Sequence, residues 1–236
     1  ELISSIQSVE LEPKQMTVSL QWDPMLISRL GNQAQQLFIS EQDRQRIIDY
    51  YAIITNIAAA VPTDIRAISI NAFLAPLFAA AREKTLAGSD PVAENRCAFQ
   101  TLAIYLNKEA IAQLIGEEAA AEIKPAPYIE TRLQRRQDLA QHLASIAAIT
   151  ASAGEDLAQM LSTTKEAYDA RYRSGFSFSD LTANNVGVTI ARLATSDPET
   201  AKIMQGRLAD LQSESDYMPE VGNNRDGLSE TDFNAL

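Results

Sequence analysis

The sequence predicts a mainly α fold: a multi-helix bundle of about six to seven helices with a small N-terminal β-hairpin or strand. Three observations carry this. From about residue 40 onward apolar residues recur at helical spacing, Ser40, Asp90 and Asp197 stand as caps before helical runs, and the clearest strand-like alternation is confined to residues 16–22. The chain has 236 residues, 46% of them apolar, enough to bury a sizeable core.

Residues 16–22 (MTVSLQW) put Met16, Val18, Leu20 and Trp22 on one side and Thr17, Ser19 and Gln21 on the other. Such a strand needs a partner. Residues 2–11 would supply it through a turn at Glu12, Pro13 and Lys14, or a second copy of the chain would pair with the edge and make a homodimer.

Ser40, followed by Glu41 and Asp43, reads as an N-cap with an acidic first turn, and Ile47, Tyr51, Ile54 and Ala58 form a stripe until Pro62 ends it. A second helix is expected over about 63–87, kinked at Pro76 and stopped by Gly88. Asp90 and Pro91 open a third, because the carboxylate caps free amides while proline sits where its missing N–H costs nothing. It is expected to run through Leu102, Ile104 and Leu106 toward Gly116.

Pro125 and Pro127 each disfavour helix at the preceding residue, which places a division near 125. Residues 1–125, 126–213 and an extended or partly disordered tail, 214–236, are read as one compact unit. A helix over about 129–153 follows, with Leu139, Leu143, Ile146 and Thr150 on one stripe and Gly154 as its stop. The next, about 155–171, uses Leu157, Leu161, Thr164 and Tyr168. Residues 173–178 (RSGFSF) make a turn anchored by Phe176 and Phe178, Ser179 caps a helix reaching about 195, and Asp197 with Pro198 starts a last helix ending near 213.

Composition excludes several functions. Asp and Glu number 31 against 20 Lys and Arg, a net charge of −11 that repels nucleic acid and anionic membrane surfaces. Cys97 is the sole cysteine, which rules out an internal disulfide or a multi-cysteine metal site, and its apolar helical setting favours a buried thiol over a nucleophile. Residues 72–81 are the longest apolar run and contain Pro76, about half the roughly 20 residues needed to cross a bilayer. Any membrane attachment is therefore expected only through an N-terminal anchor removed before Glu1. Residues 222–227 (GNNRDG) resemble a calcium loop, but Gly222 would stand at position one and Phe233 where the terminal Glu is required. There is no glycine-rich phosphate loop, no His-Glu-x-x-His and no basic aromatic groove.

The residues that carry chemistry lie between His142 and Gly187. His142, the sole histidine, borders the stripe of its helix with Asp138 four residues before and Ser145 three after, so it reads either as a base oriented by a carboxylate or as a hydrogen-bonded structural histidine. Ser145 lacks the Gly-x-Ser-x-Gly turn of an activated serine. Lys165, Glu166 and Asp169 share one side of the following helix, as a pair of carboxylates able to hold a cation or as a solvated face. Asp180 suits the first turn of the next helix, Asn184 lies one turn on, and Gly187 lets another helix approach closely.

The order Asp138, His142, Lys165-Glu166, Asp169, Phe178, Asp180, Asn184, Gly187 resembles the signature of VanZ-like and related small bacterial envelope proteins, over residues 138–190. The resemblance implies a periplasmic or otherwise extracytoplasmic location and a polar site. The chain departs from that pattern in lacking membrane-spanning helices, since 139–153 and 157–168 are too short and too polar.

Two functions follow. The first is a membrane-tethered binding or assembly module whose partner is a protein or another envelope component. The second is a His-based or metal-assisted hydrolase with His142, Glu166, Asp169 and Asp180 as catalytic groups and Asp138, Ser145, Lys165 and Asn184 as binding groups. No cofactor is required by the first; the carboxylate-rich set of the second suits a divalent cation.

Overall fold

A computed structural model describes residues 6–12, 15–20, 40–172, 176–222, 226–229 and 231–232, with the side chains of 6–20 and 164–172 outside the description. The fold is mainly helical, as the sequence predicts. In chain order the elements are β1 (Ile6–Glu12), β2 (Gln15–Leu20), α1 (Glu41–Ala60), β3 (Ala67–Ser69), α2 (Asn71–Leu86), α3 (Pro91–Leu106), the short α4 (Ala112–Ile115) and α5 (Glu117–Ala121), β4 (Glu130–Arg132), α6 (Gln137–Ala153), α7 (Glu155–Tyr172), α8 (Phe178–Thr195) and α9 (Pro198–Ala209). Among the described residues, seven of the helices exceed ten residues.

Strands β1 and β2 pair antiparallel, with Glu12 opposite Gln15 and an irregularity between Ile6 and Ser8. This is the hairpin alternative for the N-terminal strand; Trp22 lies outside the described residues.

The caps act as their chemistry requires. Ser40 accepts from the Asp43 amide, Asp90 from Val92, and Asp197 from Glu199 and Thr200. The expected stripe of α1 is buried at Ile47, Tyr51, Ile54 and Ala58, and that of α6 at Leu139, Leu143, Ile146 and Thr150. Helix α6 packs against α3 and α8, α9 against α2 and α8, and α1 against α3. A contiguous core runs through these helices from Ile47 to Val221, with the tilted rings of Phe78 and Phe99 4.9 Å apart and those of Phe73 and Tyr105 5.1 Å apart. Asn95, fully buried on α3, donates to Ala194 O and Ala201 O and so fastens the α8–α9 connection to the core.

Five boundaries differ from expectation. Residues 67–69 are a strand paired in parallel with 130–132, so α2 starts at Asn71 instead of near 63 and α6 at Gln137 instead of near 129. A parallel pair joining segments more than sixty residues apart leaves no local periodicity to read. Helix α3 stops at Leu106 because Asn107 bonds back to Ala103 O and Lys108 takes a left-handed φ of 57°. The cap of α8 is Ser177, two residues before the expected Ser179. Helix α9 ends at Ala209, and a 3-10 turn at Glu214–Asp216, closed by a capping box at Ser213, follows it. Beyond it Met218 and Val221 enter the core.

Among the described residues no helix is long and apolar enough to cross a membrane.

Candidate functional site

The site is built on the contact of α6 with α8. Gly187 sets their spacing: a Cβ there would lie 2.6 Å from Leu143 O and 3.3 Å from Ala147 N, both backbone atoms of α6. This close approach brings the first turns of the two helices together.

His142, half-buried on α6, has Nδ1 3.1 Å from Asn184 Oδ1 and Nε2 3.4 Å from Asp180 Oδ2. Two of the sequence-predicted partners therefore meet the imidazole. Asn184 is almost wholly buried, and its Nδ2 has no partner among the described residues.

Asp180 is also tied to Arg136, whose Nη2 donates to Asp180 Oδ1 at 3.0 Å and to Asp138 Oδ2 at 2.5 Å while Nη1 donates to Asp226 Oδ2 at 2.6 Å. One guanidinium thus bridges three carboxylates from α6, α8 and the C-terminal segment, offsetting one of their three charges. The hydrogen bond that Arg136 donates to Asp138, outweighing the opposing effect of burial, holds Arg136 still more firmly charged than usual. Burial acts to raise the Asp138 carboxyl, but Arg136 and then the Leu139 amide and His142 hold it below the usual carboxylate range.

Asp226 joins the tail to the start of α8. Its Oδ1 accepts from Ser177 Oγ and the Ser179 amide, each at 3.0 Å, and Ser177 Oγ in turn accepts from the Asp180 amide. Beside it Phe176 and Leu228 exchange backbone hydrogen bonds, and Phe176 meets Phe178 edge-on at 5.0 Å. Burial pushes the Asp226 carboxyl up, yet the bonds from Ser179, Arg136 and Ser177 outweigh it and leave the group below its usual range.

These depressed carboxyls have a stability consequence. A carboxyl lower in the folded than in the unfolded chain stabilises fully above the unfolded value, about 3.9 for Asp, and that stability is lost as pH falls through the folded value. For Asp226→Asn, Tm at pH 7 is expected to fall by about 2–4 °C, the effect of roughly 1 kcal/mol after discounting for solvent screening of a partly exposed clamp. The loss of Tm below about pH 4 is expected to become shallower. Melts from pH 2 to 7 check this, and an unchanged acid limb would refute the role of Asp226.

Sequence reasoning missed Arg136 and Asp226. Leu133 and Arg136 exchange both backbone hydrogen bonds across Gln134 and Arg135, whose φ values are 48° and 68°. That tight turn is usually marked by Asn or Gly, and neither is present to signal it. Gln134 is held instead by its surroundings: its amide donates to Glu214 Oε2, its Nε2 to Pro219 O, and its Oε1 accepts from the Val221 amide. The C-terminal segment therefore fixes the turn that aims Arg136.

The other sequence-predicted residues divide. Ser145 is not joined to the His142 cluster but accepts from Asn107 Nδ2 of the α3 C-cap at 2.8 Å. The side chains of Lys165, Glu166 and Asp169 lie outside the described residues. Among the described residues no group of three or more His, Cys, Asp and Glu could hold a metal ion; Asp138, Asp180 and Asp226 have Arg136 between them as their cation.

A second polar cluster, unsignalled in the sequence, joins α1 to α3. Glu94, almost fully buried, accepts from Arg46 Nε at 2.8 Å and Tyr50 Oη at 2.6 Å, and Asp43 accepts from Arg46 Nη1 at 3.0 Å and Arg96 Nη2 at 2.9 Å. Cys97 lies beside it, fully buried, its thiol pushed up first by burial and then by Asp43. The thiol is inert there, in keeping with its expected core position.

No family model, curated protein or solved structure matches the chain.

Proposed function

We propose that this chain is a binding or assembly module of the bacterial cell envelope, tethered outside the cytoplasm, in which the His142 cluster holds the recognition surface in shape. The observation that carries this reading is the imidazole's double engagement, with the amide oxygen of Asn184 at Nδ1 and the carboxylate of Asp180 at Nε2. Acceptors from α8 at both ring nitrogens let the imidazole tie α6 to α8, a connecting role. The similarity of residues 138–190 to VanZ-like envelope proteins supports the location, and the acidic composition disfavours nucleic acid as the partner.

His142→Ala is expected to lower stability by about 1–3 kcal/mol, or about 3–9 °C in Tm at this chain length. Wild-type Tm is expected to be unmoved by EDTA. Thermal melts with and without chelator decide it, and a His142→Ala protein melting like wild type would overturn the connecting role. For the location, fractionation of cells making the natural full-length protein is expected to recover it with the envelope; recovery in the cytosol would overturn that part.

Hydrolysis by His142 with Glu166, Asp169 and Asp180, aided by a divalent cation, is the second reading. The Asp180 carboxylate 3.4 Å from Nε2 of the partly exposed imidazole favours it, as a carboxylate able to orient a base. It requires His142→Ala to abolish turnover of an ester or phosphoester substrate without loss of Tm.

A further inference from the structure

Asp226 and Gly227 form the sole Asp-Gly pair of the sequence. In such a pair the glycine nitrogen can attack the aspartyl Cγ, because the following residue has no Cβ to shield it. The new N–Cγ bond closes a five-membered succinimide, and one carboxyl oxygen leaves as water with the acid proton and the amide proton. Water then opens the ring at either carbonyl. One opening restores aspartate; the other gives isoaspartate, whose main chain runs through Cβ and Cγ. The water lost in the first step is regained in the second, so no other reactant is consumed.

Each member of the pair has a structural reason to be there. Gly227 has a φ of 74°, in the left-handed region where a side chain is strained. Asp226 closes the clamp on α8: its Oδ2 accepts from Arg136 Nη1 at 2.6 Å, and its Oδ1 from Ser177 Oγ and the Ser179 amide, each at 3.0 Å. Replacing either residue therefore disturbs the turn or the clamp. Both residues are exposed, so solvent reaches the bond between them.

The clamp opposes ring closure in two ways. The Gly227 nitrogen stands between fixed points, the Asp226 carboxylate on one side and Leu228 on the other, whose backbone exchanges hydrogen bonds of 2.7 and 3.0 Å with Phe176. Drawing nitrogen and Cγ to bonding distance displaces one anchor or the other, and expelling either carboxyl oxygen breaks the bonds it accepts. The second obstacle is protonation, since the oxygen leaves as water only from the acid. Burial raises this carboxyl, but Ser179, Arg136 and Ser177 together hold it below its usual range and so keep it ionised.

We propose that Asp226 is an isomerisation site held in check by its clamp while the chain is folded, and that its conversion to isoaspartate detaches the tail from Arg136 and the start of α8. Isoaspartate carries its free carboxylate directly on Cα, one carbon closer to the main chain, and adds one atom to the main chain before Gly227. With Leu228 still held by Phe176, the shortened group does not satisfy Arg136, Ser177 and Ser179 together. The proposal rests on neither functional reading of the His142 cluster.

The test is to incubate the 236-residue chain at pH 7, folded and in urea, and to count isoaspartate at 226 by peptide mass spectrometry with electron-transfer fragmentation, which distinguishes the two isomers of equal mass. Formation is expected to be about tenfold or more slower in the folded chain than in urea. Folded Arg136→Met and Ser177→Ala are each expected to react severalfold faster than folded wild type, with circular dichroism confirming that they are folded. Ser177→Ala leaves Arg136 in place and decides the matter if Arg136→Met does not fold. In urea, Gly227→Ala is expected to slow the reaction severalfold, which assigns the attack to the nitrogen of residue 227. Equal rates in the folded and unfolded chain would overturn the proposal, as would folded clamp variants no faster than wild type or no isoaspartate at 226 in urea. The isomerised protein, isolated by ion exchange, is expected to melt about 2–4 °C below the unmodified protein at pH 7, and an equal Tm would overturn the detachment.

Discussion

Gly187→Val is expected to yield little or no folded protein. Even a Cβ at this position would lie 2.6 Å from Leu143 O, and the neighbour is helix backbone with no flexible end to move aside. The remaining route is separation of α6 from α8, the two helices that hold His142, Asp180 and Asn184. Overpacking of about 1–3 kcal/mol for the first carbon is partly offset in Gly187→Ala by about 1 kcal/mol of helix propensity. Alanine is therefore expected to lower Tm by a few degrees. Valine adds two methyl groups to the same space and loses helix propensity, placing its cost above about 4 kcal/mol, in the range where single substitutions unfold marginal domains. Circular dichroism melts of both variants test this; a Gly187→Val protein with the Tm of wild type would show that the helices do not need their present spacing.

The second large effect is expected at the buried cluster between α1 and α3. Arg46→Met removes the guanidinium that meets both Glu94 and Asp43, leaving Glu94 with Tyr50 as its hydrogen-bond donor and no neighbouring cation bonded to it. Removing one partner of a buried ion pair costs about 3–5 kcal/mol, far more than the pair contributes over an apolar replacement, because the surviving charge stays desolvated. Adding Glu94→Gln to Arg46→Met is expected to recover part of the loss, since the amide still accepts from Tyr50 and carries no charge. Urea unfolding of the two single variants and the double variant measures this coupling. Strict additivity would mean that the two side chains do not act as a pair.

How far each feature was legible follows from the range of the forces that make it. The polar constellation was partly readable: His142, Asp180, Asn184 and Gly187 stand at helical spacings that place them near the facing turns of α6 and α8. Ser145 has the same kind of spacing from His142, yet it bonds to Asn107 on α3, because residues one turn apart on a helix edge can be claimed by different neighbours. Arg136 sits just ahead of α6 with nothing local to mark it. Its role comes from carboxylates 44 and 90 residues away, at Asp180 and Asp226.

By itself the sequence determined the elements whose causes are local. Ser40, Asp90 and Asp197 cap the amides directly after them, Gly88 and Gly154 end helices with φ of 103° and 91°, and the stripes of α1 and α6 follow from 3.6 residues per turn. The tertiary structure alone decided the parallel pairing of 67–69 with 130–132, the turn at Gln134 and Arg135, the three carboxylates around Arg136 and the burial of Glu94. Each of these depends on hydrogen bonds or charges contributed by segments distant in the chain, and such bonds do not imprint a period or a cap on the residues that accept them.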